Sequence, residues 1–226
     1  STRVRSSAAS DVYKRQLFIS GMNSALTPWM YSKIKKGDIR SMRKVLQLLS
    51  VVVVGIAVAL MLISPELVLI FGSPKYREAV YVIPPVAASV FFIFIYNILS
   101  MPQFYYEKTQ FLMAASMAAA GANVVLNFIF IRLFGYIAAG YTTLACYMLY
   151  SVGHYIVSKR ILVNEGIQEN LMSPGFLVAC SVFLIGASII CNLIFPYRIL
   201  RYAILLASAG LVFWKKELLL KTMADI

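Results

Sequence analysis

Polar side chains recur at helical spacing in three otherwise apolar stretches of this 226-residue chain. The first stretch carries Ser89, Tyr96, Asn97, Ser100 and Gln103. The second carries Ser116, Ala120, Asn123 and Asn127. The third carries Gly140, Thr143, Tyr147, Ser151, His154 and Ser158. Steps that add up to helical turns place each set on one face of a helix. Amides, hydroxyls and phenols can do one kind of chemistry here, hydrogen bonding, either between helices or to a polar ligand in a wet cavity. The candidate cavity-lining residues are therefore Tyr96, Asn97, Ser100, Gln103, Asn123, Asn127, Thr143, Tyr147, Ser151 and His154. Each also has a packing role open to it. Asn123 and Asn127 can bond helix to helix, and His154, close to the end of its stretch, can be a hydrogen-bonded side chain near an interface.

The chain offers little for covalent or metal chemistry. It has one histidine and no Cys/His cluster, so no zinc site is expected. Cys146, Cys180 and Cys191 all sit inside apolar runs and read as small hydrophobes rather than a disulfide framework. No Gly-rich loop suited to a phosphate is present. Glu66, Glu78 and Glu107 all fall at segment ends, which argues against a cation site carried by this region. No catalytic residue and no cofactor are expected, and the chain does not read as an enzyme.

The elements that must hold these stripes are set by composition. Hydrophobic residues make up 61% of the chain and charged residues 13%, with a mean hydropathy of +0.79. Soluble domains hold about 45–50% apolar and about 25% charged residues. A soluble enzyme, a nucleic-acid-binding domain and a disordered tail are excluded, which leaves an all-α, polytopic transmembrane helix bundle. Residues 1–16 differ in character from the rest and read as a non-native linker. Leu17–Tyr31, at about 1.5 Å per residue, is too short for a hydrocarbon core of about 30 Å and reads as a truncated span. Six full spans follow: Val45–Ile63, Pro85–Tyr105, Gln110–Phe134, Tyr136–Val157, Pro174–Phe195 and Ile199–Trp214. Ser64-Pro65-Glu66 has the chemistry of a helix start, so Pro65–Phe71 reads as a short interfacial helix. Pro84 and Pro85 lack backbone donors and either start the next helix or kink it, which makes them a candidate hinge. The chain divides into the linker 1–16, the truncated span 17–31, four spans within 32–162, and two peripheral spans with a short tail within 163–226.

If spans alternate, one side collects Lys33, Lys35, Lys36, Arg40, Arg43, Lys44, Lys108, Lys159, Arg160, Lys215, Lys216 and Lys221. The other collects Lys75, Arg77, Arg132, Arg198 and Arg201. Twelve against five fixes the first side, and the C-terminus, as cytoplasmic. The net charge of +12 thus reports membrane topology rather than nucleic-acid binding.

Three stretches carry a family resemblance: ALTPWMYSKIKKGD, FGSPKYREAVYVIPPVAASVFFIFIYNILSMPQFYYEKT, and NVVLNFIFIRLFGYIAAGYTTLACYMLYSVGHYIV. They resemble the C-terminal half of bacterial polysaccharide flippases, the Wzx-type O-antigen and capsule transporters of the multidrug/oligosaccharidyl-lipid/polysaccharide exporter superfamily. Arg132 departs from the proline expected before the FG turn. The resemblance implies the C-terminal half of a fourteen-helix, two-lobe transporter in the bacterial inner membrane. Such a protein moves undecaprenyl-pyrophosphate-linked oligosaccharide between leaflets by alternating access. Its partners would be the lipid-linked oligosaccharide, membrane lipids and the N-terminal half of the same protein, with much of the cationic cavity on that half. Three alternatives stay open: a drug/cation antiporter of the same superfamily, a membrane-embedded transferase acting on lipid-linked sugars, for which the chain offers only Glu107 and His154, and a non-transporting scaffold.

Overall fold

The computed structural model of the protein describes residues 26–71 and 74–214. The linker 1–16, most of the truncated span and the tail after Trp214 lie outside these residues. A first helix, α1, covers 26–35. It is followed by α2 (Ile39–Phe71), a 3-10 stretch (Pro74–Val82), α3 (Ile83–Tyr105), α4 (Gln110–Phe134), α5 (Ala138–Asn164), α6 (Pro174–Ile194) and α7 (Arg198–Trp214). The described chain is thus all-α.

Among the described residues, four helical stretches are long and apolar enough to cross a membrane: Ile39–Ile70, Glu78–Tyr105, Gln110–Phe134 and Pro174–Ile194. This is the makeup of a multi-pass membrane protein, and it corrects the expectation of six full spans. α7 has 17 residues, or about 26 Å at 1.5 Å per residue, short of the hydrocarbon core. α5 is long enough at 27 residues, but its threonines, tyrosines, serines and His154 dilute its apolar content, and Lys159 and Arg160 lie in its last turns. α3 and α4 both pack against α5. A helix sheltered by its neighbours need not be apolar all round, which is why span-like length and span-like composition part company here.

The second correction concerns Ser64-Pro65-Glu66. The helix does not restart there: α2 runs unbroken from Ile39 to Phe71 with Pro65 inside it. A proline removes the N–H that would meet the carbonyl four residues earlier, here that of Met61. The Ser64 hydroxyl donates to that same Met61 oxygen at 2.8 Å. A side chain replaces the lost backbone donor, and the apolar pattern carries the helix onward.

Pro84 and Pro85 open α3 directly after the 3-10 stretch, and both are buried. In the first turn their missing N–H groups would have been unpaired in any case. Ser173 precedes Pro174 at the start of α6 with extended backbone, as expected of a cap, although its hydroxyl makes no capping bond. Between α4 and α5, Gly135 adopts φ 77°, the positive value that its lack of a Cβ permits, and its N–H closes on the Ile131 carbonyl at 2.9 Å.

α3 is the hub. Phe91, Ile95 and Leu99 are fully or almost fully enclosed, with α2 on one side and α5 on the other. α6 covers α2 and α3, and α7 lies on α2. α4 packs on α5 and has no buried residue. Its polar stripe faces α5, where Asn127 accepts from Thr142 and the Ser116 hydroxyl lies 2.7 Å from that of Tyr150.

The helix ends gather into two sets. α1, α3 and α5 each finish with the same closure, Asp38 N–H to Lys33 O, Lys108 N–H to Gln103 O, and Ile167 N–H to Leu162 O, around Gly37, Glu107 and Gly166 with positive φ. These ends are tied to one another: Arg40 to Glu169 at 3.1 Å, Arg43 Nε to the Asn170 carbonyl at 2.7 Å, and Lys108 to Glu165 at 2.7 Å. Asp38 also caps α2 through the Ser41 N–H. The Lys33 ammonium, with help from Ser41, holds the Asp38 carboxyl below its usual range. At the opposite end, the Tyr136 hydroxyl donates to Glu78, and the rings of Tyr81 and Phe195 lie 5.6 Å apart.

The set with the lysine-rich turns is expected to be cytoplasmic. In a background with Cys146, Cys180 and Cys191 replaced, single cysteines at Lys36 and Tyr197 are labelled in intact cells with an impermeant maleimide. Tyr197→Cys should react and Lys36→Cys should be protected until the cells are opened. Reaction at Lys36→Cys from outside would invert the topology.

Candidate functional site

The sequence-predicted residues divide into two groups. One group spends its polar atoms on partners within α3 and across the α3–α5 interface. The Ser100 hydroxyl donates to the Asn97 carbonyl and the Asn97 amide to the Ile93 carbonyl, both within α3. The Ser151 hydroxyl lies 2.9 Å from the Phe92 carbonyl of α3 and 2.8 Å from the Tyr147 carbonyl of its own helix. Gln103 Nε2 meets His154 Nδ1 at 2.7 Å, with both residues at 0% exposure. His154 is enclosed by the rings of Tyr150, Phe111 and Tyr96, at centroid distances of 4.5, 5.4 and 5.9 Å. Of the roles its sequence position suggested, His154 has that of a buried, hydrogen-bonded side chain.

The second group meets in an open groove between α3, α4 and α5. Tyr96 comes from α3, Ser116, Ala120 and Asn123 from α4, and Thr143, Tyr147 and Tyr150 from α5; the volume is 500 Å³. Of the ten predicted residues, Tyr96, Asn123, Thr143 and Tyr147 line it. Ser116 and Tyr150 complete it, their oxygens 2.7 Å apart. Tyr150 was missed because a tyrosine three residues after Tyr147 reads as part of an apolar span. The Tyr96 and Tyr147 rings are within 5° of parallel, with centroids 6.3 Å apart, and Tyr96 and Tyr150 lie 4.7 Å apart.

Asn127 belongs to neither group. Its amide donates to Asn123 Oδ1 at 2.8 Å, and its own Oδ1 accepts from Thr142 of α5 at 2.7 Å. With the Ser116–Tyr150 pair it bonds the otherwise unburied α4 to α5. Thr142, outside the predicted stripe, is its partner.

No Lys, Arg, Asp or Glu lines the groove. Among the described residues no group of three or more His, Cys, Asp or Glu could hold a metal ion. The charged chemistry lies elsewhere, next to Pro65. The Arg201 Nη1 and Nη2 groups each donate to a Glu66 carboxylate oxygen at 2.8 Å, and Nη1 also reaches the Leu62 carbonyl at 2.7 Å. The Tyr202 hydroxyl donates to Glu66 at 3.0 Å. This clamp joins α2 to α7. The sequence reading treated both charges as loop-side residues.

The groove can bind and orient a polar molecule, and it offers no nucleophile paired with a base. No family model matches the chain, and no significant match was found among curated proteins or solved structures. The described residues are all-helical, with four candidate membrane spans among them.

Proposed function

We propose that the chain is the C-terminal part of a membrane transporter that translocates lipid-linked oligosaccharide, an undecaprenyl-pyrophosphate-linked repeat unit, across the bacterial inner membrane during polysaccharide biosynthesis. The observation that carries this reading is the groove. It is a hydrogen-bonding, aromatic-walled strip on a bundle whose other exposed helix faces are apolar, as at Val51, Met117, Val182 and Leu206. A sugar head group cannot leave water for hydrocarbon without losing several kcal/mol of hydration per polar group. A polar strip running between helices lets the head group cross while the lipid tail stays in the bilayer. The sequence stretches that resemble polysaccharide flippases support the same reading, with a second lobe as the partner that closes the cavity. The transferase alternative is less well supported. Glu107 is exposed and His154 is fully enclosed, so the two do not present an acid and a base to one substrate.

The test is genetic. In a strain lacking its own flippase, a full-length parent gene should restore surface polysaccharide, seen as a ladder on gels. The 226-residue chain expressed alone should not, since alternating access needs two bodies that rock around the site. Failure of the parent, at normal membrane levels, would remove the proposal.

A further inference from the structure

We infer that the groove between α3, α4 and α5 holds the uncharged saccharide portion of the ligand and not its pyrophosphate, an assignment that rests on the translocation reading above. At 500 Å³ the groove falls within the range of about 300–1,000 Å³ usual for small-molecule sites. Its wall offers two kinds of surface. The rings of Tyr96, Tyr147 and Tyr150 supply aromatic surface. Ser116, Asn123 and Thr143 bring hydroxyls and an amide, and Asn123, whose Oδ1 accepts from Asn127, keeps its NH2 donors. A pyranose has the matching pair of surfaces: C–H faces that lie on aromatic rings and hydroxyls that pair with neutral polar groups.

Other ligand classes fit the same wall less well. A pyrophosphate calls for Arg, Lys or helix N-termini, and no cation lines the groove. An organic cation could lie over tyrosine faces, but no carboxylate is there to neutralise it, in a chain of net charge +12. A lipid tail would cover the Asn123 NH2 and the Thr143 hydroxyl without offering them a partner. The apolar alternative exists nearby: a hollow of 420 Å³ at the α4–α5 turn is walled mainly by Leu126, Phe130, Phe134 and Ile137.

The tyrosines are also held in place before any ligand arrives. Tyr150 is fixed by its bond to Ser116 and by the His154 ring edge behind it. Tyr96 rests against the same histidine, which Gln103 anchors from α3. Rings already ordered lose little entropy on binding. The buried Gln103–His154 pair thus acts as the back support of the aromatic wall.

The experiment uses the whole chain in lipid nanodiscs on an array of neutral and anionic glycans, with inorganic pyrophosphate and tetrapropylammonium as competitors. Neutral glycans should be retained. Tyr147→Phe should keep that binding, and Tyr147→Ala should weaken it about tenfold, as expected for loss of an aromatic face. Thr143→Val, nearly equal in volume, gives a second reading should Tyr147→Ala fold poorly, and it should weaken binding without changing the melting temperature. Absence of neutral glycan binding, binding unchanged in both Tyr147→Ala and Thr143→Val, or displacement by pyrophosphate or tetrapropylammonium would overturn the assignment. Export by the full-length parent is scored separately. A parent that exports, with no neutral glycan on the array, removes the groove assignment alone. A parent that does not export, with glycan bound, removes translocation alone.

Discussion

Glu66→Leu is expected to destabilise the bundle by about 3–5 kcal/mol, because it strands a buried guanidinium without its counter-charge. Arg201 is 3% exposed. With the carboxylate gone, its one remaining partner across the interface is the Leu62 carbonyl, 2.7 Å from Nη1. Arg201→Met should be milder. Its side chain is 4% exposed against 19% for Glu66, so the carboxylate left behind is better hydrated. That carboxylate also keeps the Tyr202 hydroxyl at 3.0 Å and Arg198 at 3.9 Å. Replacing both, Glu66→Leu with Arg201→Met, should recover most of the loss, since an apolar pair of similar volume often substitutes for a buried ion pair. Unfolding can be followed by the heat-induced reactivity of Cys146 and Cys191, both buried thiols. A Glu66→Leu protein within about 0.5 kcal/mol of wild type would mark the pair as no stronger than a surface contact.

Gly140→Ala should also be clearly destabilising, by about 1–3 kcal/mol, the usual range for forcing an extra methyl into a packed core. A Cβ at Gly140 would lie 2.7 Å from Pro85 Cγ, 2.9 Å from the Val82 carbonyl oxygen and 3.3 Å from Val82 Cγ1. Two of these are a ring buried in the first turn of α3 and a backbone atom, neither of which can swing aside. α5 would have to lift away from the start of α3. Gly121→Ala is the control: nothing lies within 4 Å of a Cβ there, so higher helix propensity should make it neutral or stabilising by up to about 1 kcal/mol. Equal melting temperatures for the Gly140→Ala and Gly121→Ala proteins would show that α5 does not press on Pro85.

These two contacts mark the boundary of what could be read from sequence. α4 was read to its first and last residue, Gln110–Phe134, because a polar link and a glycine bracket an unbroken apolar run. α6 was read to within a residue of its end for the same reason, a Ser-Pro start and a proline stop. The Pro65 region was misread because its local chemistry matches a helix start, while the outcome was settled by the Ser64 hydroxyl and by Arg201 from 135 positions away. No local pattern can pair charges at that separation. The polar stripes were found at the right spacing, yet spacing says nothing about which neighbour a face meets. Ser151, Gln103 and His154 turned inward between α3 and α5, whereas Asn123 and Thr143 opened onto the groove. Thr142 and Tyr150 became visible as partners once α4 and α5 were placed side by side.

The most direct measurement is leaflet exchange itself. The full-length parent is reconstituted in proteoliposomes with radiolabelled undecaprenyl-pyrophosphate-linked oligosaccharide confined to the inner leaflet. The fraction accessible to an added glycosidase is followed over time, beside vesicles holding the 226-residue chain alone and vesicles without protein. The account predicts that label appears outside in the parent vesicles at rates well above both controls. It also predicts that replacing Tyr96 and Tyr147 together by leucine brings the parent down to the level of the controls. Parent vesicles that release label no faster than protein-free ones, with the protein folded and inserted, would contradict it.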